Sequence, residues 1–281
     1  MIRQLVFGWV VCFLCTTLAA QEAQELWILH TNDTHSRVEP IPTTDSHPEW
    51  AGKAGFVRRV TLLKELRKQD PDLLLFDCGD FSQGSPYYNM FRGEVEVKLM
   101  NEMGYDAVVI GNHEFDFGLD NMARLFRLAK FPVVCANYGV KGTVLEGLVK
   151  PYVILERKGV KIGVFGVGTV LEGLVQAKNC DGVVFEDPVV AAQRVATQLK
   201  EQEHCDLVIC LSHLGWKGKR YSDEKLIAET RHIDIVLGGH SHSYFEKPEI
   251  YRNLDGVEVP LQQMGKNAVY VGQMKVKMEK E

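Results

Sequence analysis

The chain has 281 residues, 46% of them hydrophobic and 25% charged, which is enough apolar content for one sizeable core and too much for a disordered chain. Its formal charge of −5 and pI near 6.0 offer no basic surface for a phosphate backbone, so a DNA or RNA polymer is not an expected partner. A small anionic ligand would have to meet local cations instead.

Met1 to Ala20 read as a secretory signal. Arg3 gives the positive start, Leu5 to Leu14 the apolar segment and Thr17-Leu18-Ala19-Ala20 the small-residue cleavage region. The apolar segment is shorter than the ~20 residues that a membrane span needs. The expected organisation is therefore a signal over 1–20 and one domain over 21–281, exported to a periplasmic or extracellular space, with no stable membrane span after cleavage. Cys12 and Cys15 would leave with the signal. Of the five remaining cysteines, Cys78, Cys135 and Cys210 sit in apolar runs and read as small buried hydrophobes. Cys180 and Cys205 lie in polar surroundings and could pair, although spacing cannot establish it. No paired-cysteine zinc signature is present.

Leu26-Trp27-Ile28-Leu29 reads as a strand that runs into Asp33 and His35. A proline-bearing loop to Ala54 follows, and then an amphipathic helix over Gly55 to Lys68, with Val57, Val60, Leu63 and Leu66 on its apolar face. Leu73 to Phe76 is a second strand, running into Asp77, Gly79 and Asp80. The loop Phe81-Ser82-Gln83-Gly84-Ser85-Pro86 leads to a helical stretch ending near Met103. Tyr105 to Ile110 is an apolar strand that delivers Gly111-Asn112-His113-Glu114-Phe115-Asp116 at its carboxyl end, where open parallel sheets carry their chemistry. Leu119 to Ala129 is predicted helical and Val133 to Ala136 extended.

Tyr152 to Glu156 and Val160 to Val167, joined by Arg157-Lys158-Gly159, predict an antiparallel hairpin and a second sheet. The string Thr-Val-Leu-Glu-Gly-Leu-Val occurs at Thr143 and again at Thr169; the flanks do not match, and it reads as coincidence rather than an internal repeat. Pro188 to Gln202 is predicted helical. Leu207 to Leu211 is a strand leading into His213, Asp223 to Thr230 a short helix, and Ile233 to Leu237 a strand leading through Gly238-Gly239 into His240 and His242. Lys247 to Gln263 and Ala268 to Met278 read as closing strands. Alternating strands and helices with a second sheet predict an α/β fold of four layers, an α-β-β-α sandwich.

A histidine beside a strand is more often structural than a ligand, but five strands delivering ligand side chains to one edge reverse that expectation. Asp33, Asp80 and Asn112 offer oxygen; His35, His213, His240 and His242 offer nitrogen. Seven ligands are too many for one tetrahedral ion and suit two divalent ions sharing a carboxylate, with zinc, manganese or iron favoured by the mixed donors. Two ions about 3.5–4 Å apart would generate a bridging hydroxide and clamp phosphoryl oxygens, as phosphate-ester hydrolysis requires.

These residues resemble a known family. Asp33-Thr34-His35, Gly79-Asp80, Gly111-Asn112-His113-Glu114, Ser212-His213 and Gly238-Gly239-His240-Ser241-His242 are similar, in order, to the five blocks of the calcineurin-like metallophosphoesterases. Leu29 to Asp33 and Asn112 to Asp116 look like the catalytic domain of the periplasmic 5′-nucleotidase branch. The resemblance implies that Asp33, His35, Asp80 and His242 hold one ion, and Asp80, Asn112, His213 and His240 the other, with Asp80 bridging. It also implies His113 as general acid or transition-state stabiliser, with Asp116 orienting its ring.

The function so implied is an exported phosphomonoesterase acting on nucleotides. A 2′,3′-cyclic nucleotide phosphodiesterase and a thiosulfohydrolase on the same scaffold are alternatives, as is a non-catalytic metal-stabilised subunit; the His113–Asp116 pair speaks against the last. Periplasmic 5′-nucleotidases carry a carboxyl-terminal domain that stacks the base. No such domain follows here, so the expectation is a separate carboxyl-terminal substrate-binding polypeptide or broad action, with nothing in this chain sandwiching an aromatic ring. His30, His47, His204 and His232 read as structural or solvated, His30 with the option of bracing the ligand loop, and Lys266 and Arg37 as exposed cations.

Overall fold

The computed structural model describes residues 24–278; the expected signal, Met1 to Ala20, lies outside the described residues. The strands, in chain order, are β1 (Gln24–Thr31), β2 (Leu74–Asp77), β3 (Ala107–Val109), β4 (Val133–Val134), β5 (Tyr138–Gly139), β6 (Val149–Lys150) and β7 (Tyr152–Arg157). They continue with β8 (Val160–Gly168), β9 (Val184–Phe185), β10 (Leu207–His213), β11 (Ile235–Leu237), β12 (Glu249–Arg252), β13 (Glu258–Gln262) and β14 (Gly272–Met278). The helices are α1 (Phe56–Gln69), α2 (Pro86–Phe91), α3 (Glu94–Met103), α4 (Gly118–Leu128), α5 (Pro188–Thr197) and α6 (Asp223–Ala228).

One sheet has the order β14-β1-β2-β3-β4-β6, parallel except for β14; the other has the order β12-β13-β11-β10-β8-β7, parallel at its centre with antiparallel β12 and β7 at its edges. β5 and β9 form a separate two-stranded ribbon.

Side chains alternating along each strand build the layers. On β1 and β2, Leu26, Ile28, Leu74 and Phe76 point into a core between the sheets, where they meet Val164, Ile209 and Leu237 of the other sheet. Their sequence neighbours Leu29 and Leu75 point the opposite way, against Leu63 of α1, Met100 of α3 and Met122 of α4. On β10, Leu207, Ile209 and Leu211 enter the central core while Val208 and Cys210 pack on Val195 of α5 and Leu226 of α6. Each fully buried Leu, Ile or Phe contributes about 1.5–3 kcal/mol. Three apolar layers between four tiers of structure make this the α-β-β-α sandwich expected.

The predicted helical stretch ending at Met103 is two helices. Arg92 (φ 52) and Gly93 (φ 90) take left-handed backbone that stops α2 and restarts α3 at a new angle. Strand β3 is shorter than Tyr105–Ile110: at Asp106 the backbone N–H donates to Leu75 O at 2.8 Å, but the Leu75 N–H is taken by the Asp106 carboxylate, also at 2.8 Å, instead of by a backbone carbonyl. The closing segment 247–263 is a hairpin of β12 and β13 rather than one strand. The five described cysteines are free thiols, and Cys180 and Cys205 pack against different cores.

Both copies of the repeated heptapeptide fold into the same turn. In the first, the Leu145 carbonyl accepts from Leu148 and Val149 N–H at 2.9 and 3.4 Å; in the second, Leu171 accepts from Leu174 and Val175 at 3.1 and 2.8 Å. Gly147 and Gly173 have φ of 79° and 82°, and Leu145 and Leu171 anchor in the same core. The same residues thus specify one local structure twice.

Candidate metal centre and active site

Every sequence-predicted ligand lies at the carboxyl ends of parallel strands, on loops that face one another across the two sheets. Asp33 and His35 follow β1, Asp80 follows β2, Asn112 follows β3, His213 ends β10, and His240 and His242 follow β11. The loops meet through backbone hydrogen bonds: Asp33 N–H to Gly79 O at 2.9 Å, His35 N–H to Asp80 O at 3.0 Å, and His240 N–H to Asp33 Oδ2 at 2.9 Å. Glycines permit the approach. A side chain on Gly239 would strike the Cys78 carbonyl and the His213 ring, and one on Gly111 would strike Asp80.

Five of the seven side chains sit on left-handed backbone: Asp33 (φ 49), His35 (φ 44), Asp80 (φ 55), His240 (φ 70) and His242 (φ 55). Such conformations cost about 1–3 kcal/mol each and persist only where the surroundings impose them, as functional sites do. The result is two clusters. The ligand atoms of Asp33, His35 and His242 all lie within 4.8 Å of one another, and so do those of Asp80, His213 and His240. Asn112 is buried, and its Oδ1 has no hydrogen-bond partner.

The donor set fits divalent cations on two observations. His213 Nδ1 lies 2.6 Å from the Cys78 carbonyl, which can only accept, so Nδ1 carries a proton. Nε2 then presents a lone pair or a second proton to Asp80 Oδ2, 3.1 Å away, without hydrogen-bond geometry. Burial opposes charge on His213, but the Asp80 carboxylate outweighs it and pushes the imidazole up to about 10. A cation between them satisfies lone pair and carboxylate together. In the other cluster, His35 Nε2 faces His242 Nε2 at 3.0 Å, with Asp33 Oδ1 at 3.9 and 3.4 Å. Burial holds His35 below the usual histidine range, so its lone pair is available. Two imidazole nitrogens and a carboxylate converging in this way are an imidazole-and-oxygen donor set.

His113 stands at the rim between the clusters. Its ring is edge-on to His35, with centroids 5.5 Å apart, and its backbone N–H donates to Asp80 Oδ1 at 2.9 Å. Nδ1 is 3.0 Å from Asp116 Oδ2, and this hydrogen bond raises the imidazole above its ordinary value. The free Nε2 is the atom that can hold a proton outward.

Three supporting carboxylates were not singled out as functional in the sequence. Glu114, fully buried, accepts from Asp80 N–H, Ser82 N–H and Gly111 N–H at 3.0, 3.1 and 2.7 Å, joining two ligand loops. Asp77 accepts from Thr31 Oγ1 and from Gly79 N–H at 2.6 and 3.0 Å; Asp223 accepts from Ser212 Oγ at 2.5 Å behind His213. Glu114 was legible only through its place inside the Asn-His-Glu block. His30 does not brace the ligand loop: it is buried between the sheets, with Nε2 3.2 Å from Gln262 Oε1.

The sequence model of the calcineurin-like phosphoesterase family matches residues 26–244. The chain belongs to that family. Among relatives of this calcineurin-like phosphoesterase, the 5′-nucleotidase of Rattus norvegicus is 33% identical over 277 residues, covering 91% of this chain and 46% of the relative. A 5′-nucleotidase precursor from Thermus thermophilus superposes with a TM-score of 0.80 at 31% identity, over 90% of this chain and 51% of the other. A calcineurin-like phosphoesterase from Bacillus subtilis superposes with a TM-score of 0.75 at 28% identity, over 92% of this chain and 86% of the other. The chain thus spans about half the length of the 5′-nucleotidases it matches.

Proposed function

We propose that this chain is a metal-dependent phosphomonoesterase acting on nucleotides, with Asp33, His35, Asp80 and His242 holding one divalent ion and Asp80, Asn112, His213 and His240 the other. Zinc, manganese or iron suits the donors. When bound, two such ions supply the charge that activates water near neutral pH and neutralises phosphoryl oxygens. The chain's own residues do the rest. Cys78 O fixes the His213 tautomer, Glu114 holds the Asp80 and Gly111 loops in register, and Asp116 orients His113 so that Nε2 can hold a proton toward the leaving oxygen.

The observation that carries this reading is the Asp116-oriented His113 imidazole beside two converging donor clusters, because a purely structural metal site has no use for a positioned proton donor. The nucleotide assignment is supported by the 5′-nucleotidases among its relatives. Export is supported by the pattern of Met1 to Ala20; no helix among the described residues is long and apolar enough to cross a membrane. The test is phosphate release from nucleoside monophosphates by the purified, metal-loaded chain, with chelated protein as control. Release that survives complete chelation overturns the metal requirement; no release from any nucleotide under metal loading overturns the substrate class.

A further inference from the structure

The His113–Asp116 pair stands on a turn that does little to hold itself. The two side chains are 32% and 36% exposed, where a single ion pair orders its partners weakly. The backbone beneath them is one 3₁₀ turn, His113–Phe115, closed by the Asp116 N–H on the His113 carbonyl at 3.2 Å. Hydrogen-bond geometry in such turns is poor, and they stay short. Two side chains from elsewhere in the chain grip both ends of this one. Tyr88 Oη donates to the same His113 carbonyl at 3.2 Å, which has a second lone pair to offer, and Asn179 Nδ2 donates to the Asp116 carbonyl at 2.9 Å.

Each grip is itself anchored. Tyr88 is buried, and its ring packs on Phe117, the residue after Asp116, with centroids 5.1 Å apart. It lies on α2, whose N-cap Ser85 hydrogen-bonds Ser36, next to the candidate ligand His35. Asn179 ends a second 3₁₀ turn, Ala177–Asn179, and Val175 and Cys180 to either side of that turn pack on the same core as Phe115. On the phosphoesterase reading given above, on which this inference rests, we infer that Tyr88 and Asn179 are positioning residues for the proton donor. Tyr88 fixes the His113 end and Asn179 the Asp116 end. The turn then keeps the spacing at which Asp116 Oδ2 meets His113 Nδ1 at 3.0 Å and leaves Nε2 free. Neither residue belongs to the two donor clusters.

The test is a mutant cycle on the full, metal-loaded chain with a nucleoside 5′-monophosphate. Tyr88→Phe keeps the ring against Phe117 and removes only the hydroxyl; Asn179→Ala removes the other donor. Together they should lower kcat about tenfold while KM and metal content stay within about twofold. The same two changes made in His113→Ala should lower kcat by no more than about twofold, since no imidazole is left to position. A purely structural role does not produce that difference: an equal loss in both backgrounds, or no loss in either, overturns the assignment. A second measurement does not need catalysis. Hydrogen exchange at the Asp116 amide, which closes the turn, should quicken about tenfold or more when Tyr88→Phe and Asn179→Ala are combined, and unchanged exchange overturns the clamp. If the unsubstituted chain hydrolyses no nucleotide, the phosphoesterase reading falls, and the exchange at Asp116 still decides whether Tyr88 and Asn179 hold the turn.

Discussion

Glu114 receives the backbone N–H of Asp80 at 3.0 Å from a position 34 residues further along the chain, and with it the N–H groups of Ser82 and Gly111. A fully buried carboxylate facing three donors cannot be replaced by an amide without turning an NH₂ toward a donor. Glu114→Gln should therefore cost about 1–3 kcal/mol, the penalty of an unsatisfied buried group, and should lower Tm by several degrees. Because the loops it ties carry Asp80 and Asn112, metal content should fall too. A variant with unchanged Tm and metal content would show that Glu114 does not hold the loops.

His113 and Asp116 separate chemistry from metal holding. His113→Ala leaves every candidate ligand side chain in place, so metal content should stay near the unsubstituted value while kcat drops about 10²–10⁴-fold, the usual contribution of a positioned acid or base. Asp116→Asn keeps a hydrogen-bonding group at 3.0 Å from Nδ1 and should lose less. Equal turnover of His113→Ala and the unsubstituted chain on a nucleotide ester would remove His113 from the chemistry.

Asp77 gives the fold a pH dependence of known sign. Burial pushes its carboxyl from 3.8 up to about 8, so folding favours the protonated form. The stability from this group is present in full below about pH 4 and is lost as pH rises toward 8. An asparagine here can still accept from Gly79 N–H and can donate to Thr31 Oγ1, which then donates to Tyr105 Oη. Asp77→Asn should flatten Tm between pH 4 and 8 and match or exceed the unsubstituted protein at pH 8. A steeper fall for the variant over that range would contradict the assignment.

Leu145 and Leu171 occupy the same position in the two heptapeptide turns and enter one core, Leu145 fully buried and Leu171 at 6% exposure. Either change to Ala should cost about 2–5 kcal/mol by chemical denaturation, with Leu145→Ala the larger. Losses below 1 kcal/mol at both sites would mean that the turns do not depend on their anchors.

The strands and the ligand loops were legible because both are written locally. An apolar run such as Leu207 to Leu211 has one use in a parallel sheet, and Asp33, Asp80, Asn112 and His213 each follow such a run within a few residues. What was not legible depends on distant partners. The break at Arg92 and Gly93 is made by backbone that a helical pattern of side chains does not reveal. His30 is polar at a strand end, and only the second sheet supplies the Gln262 that buries it. Glu114 looks like an exposed motif acid until the Asp80 and Gly111 loops close over it.

The most direct test of the central claim is metal stoichiometry measured together with phosphate release, on the unsubstituted chain and on Asp80→Ala. Two donor clusters, with Asp80 serving both ions on the proposed assignment, predict about two equivalents of divalent metal per chain with active turnover, and for Asp80→Ala a loss of metal together with at least a 10³-fold loss of turnover, about 4 kcal/mol of transition-state stabilisation. An Asp80→Ala protein that still holds two equivalents and releases phosphate at the normal rate would contradict the two-ion site.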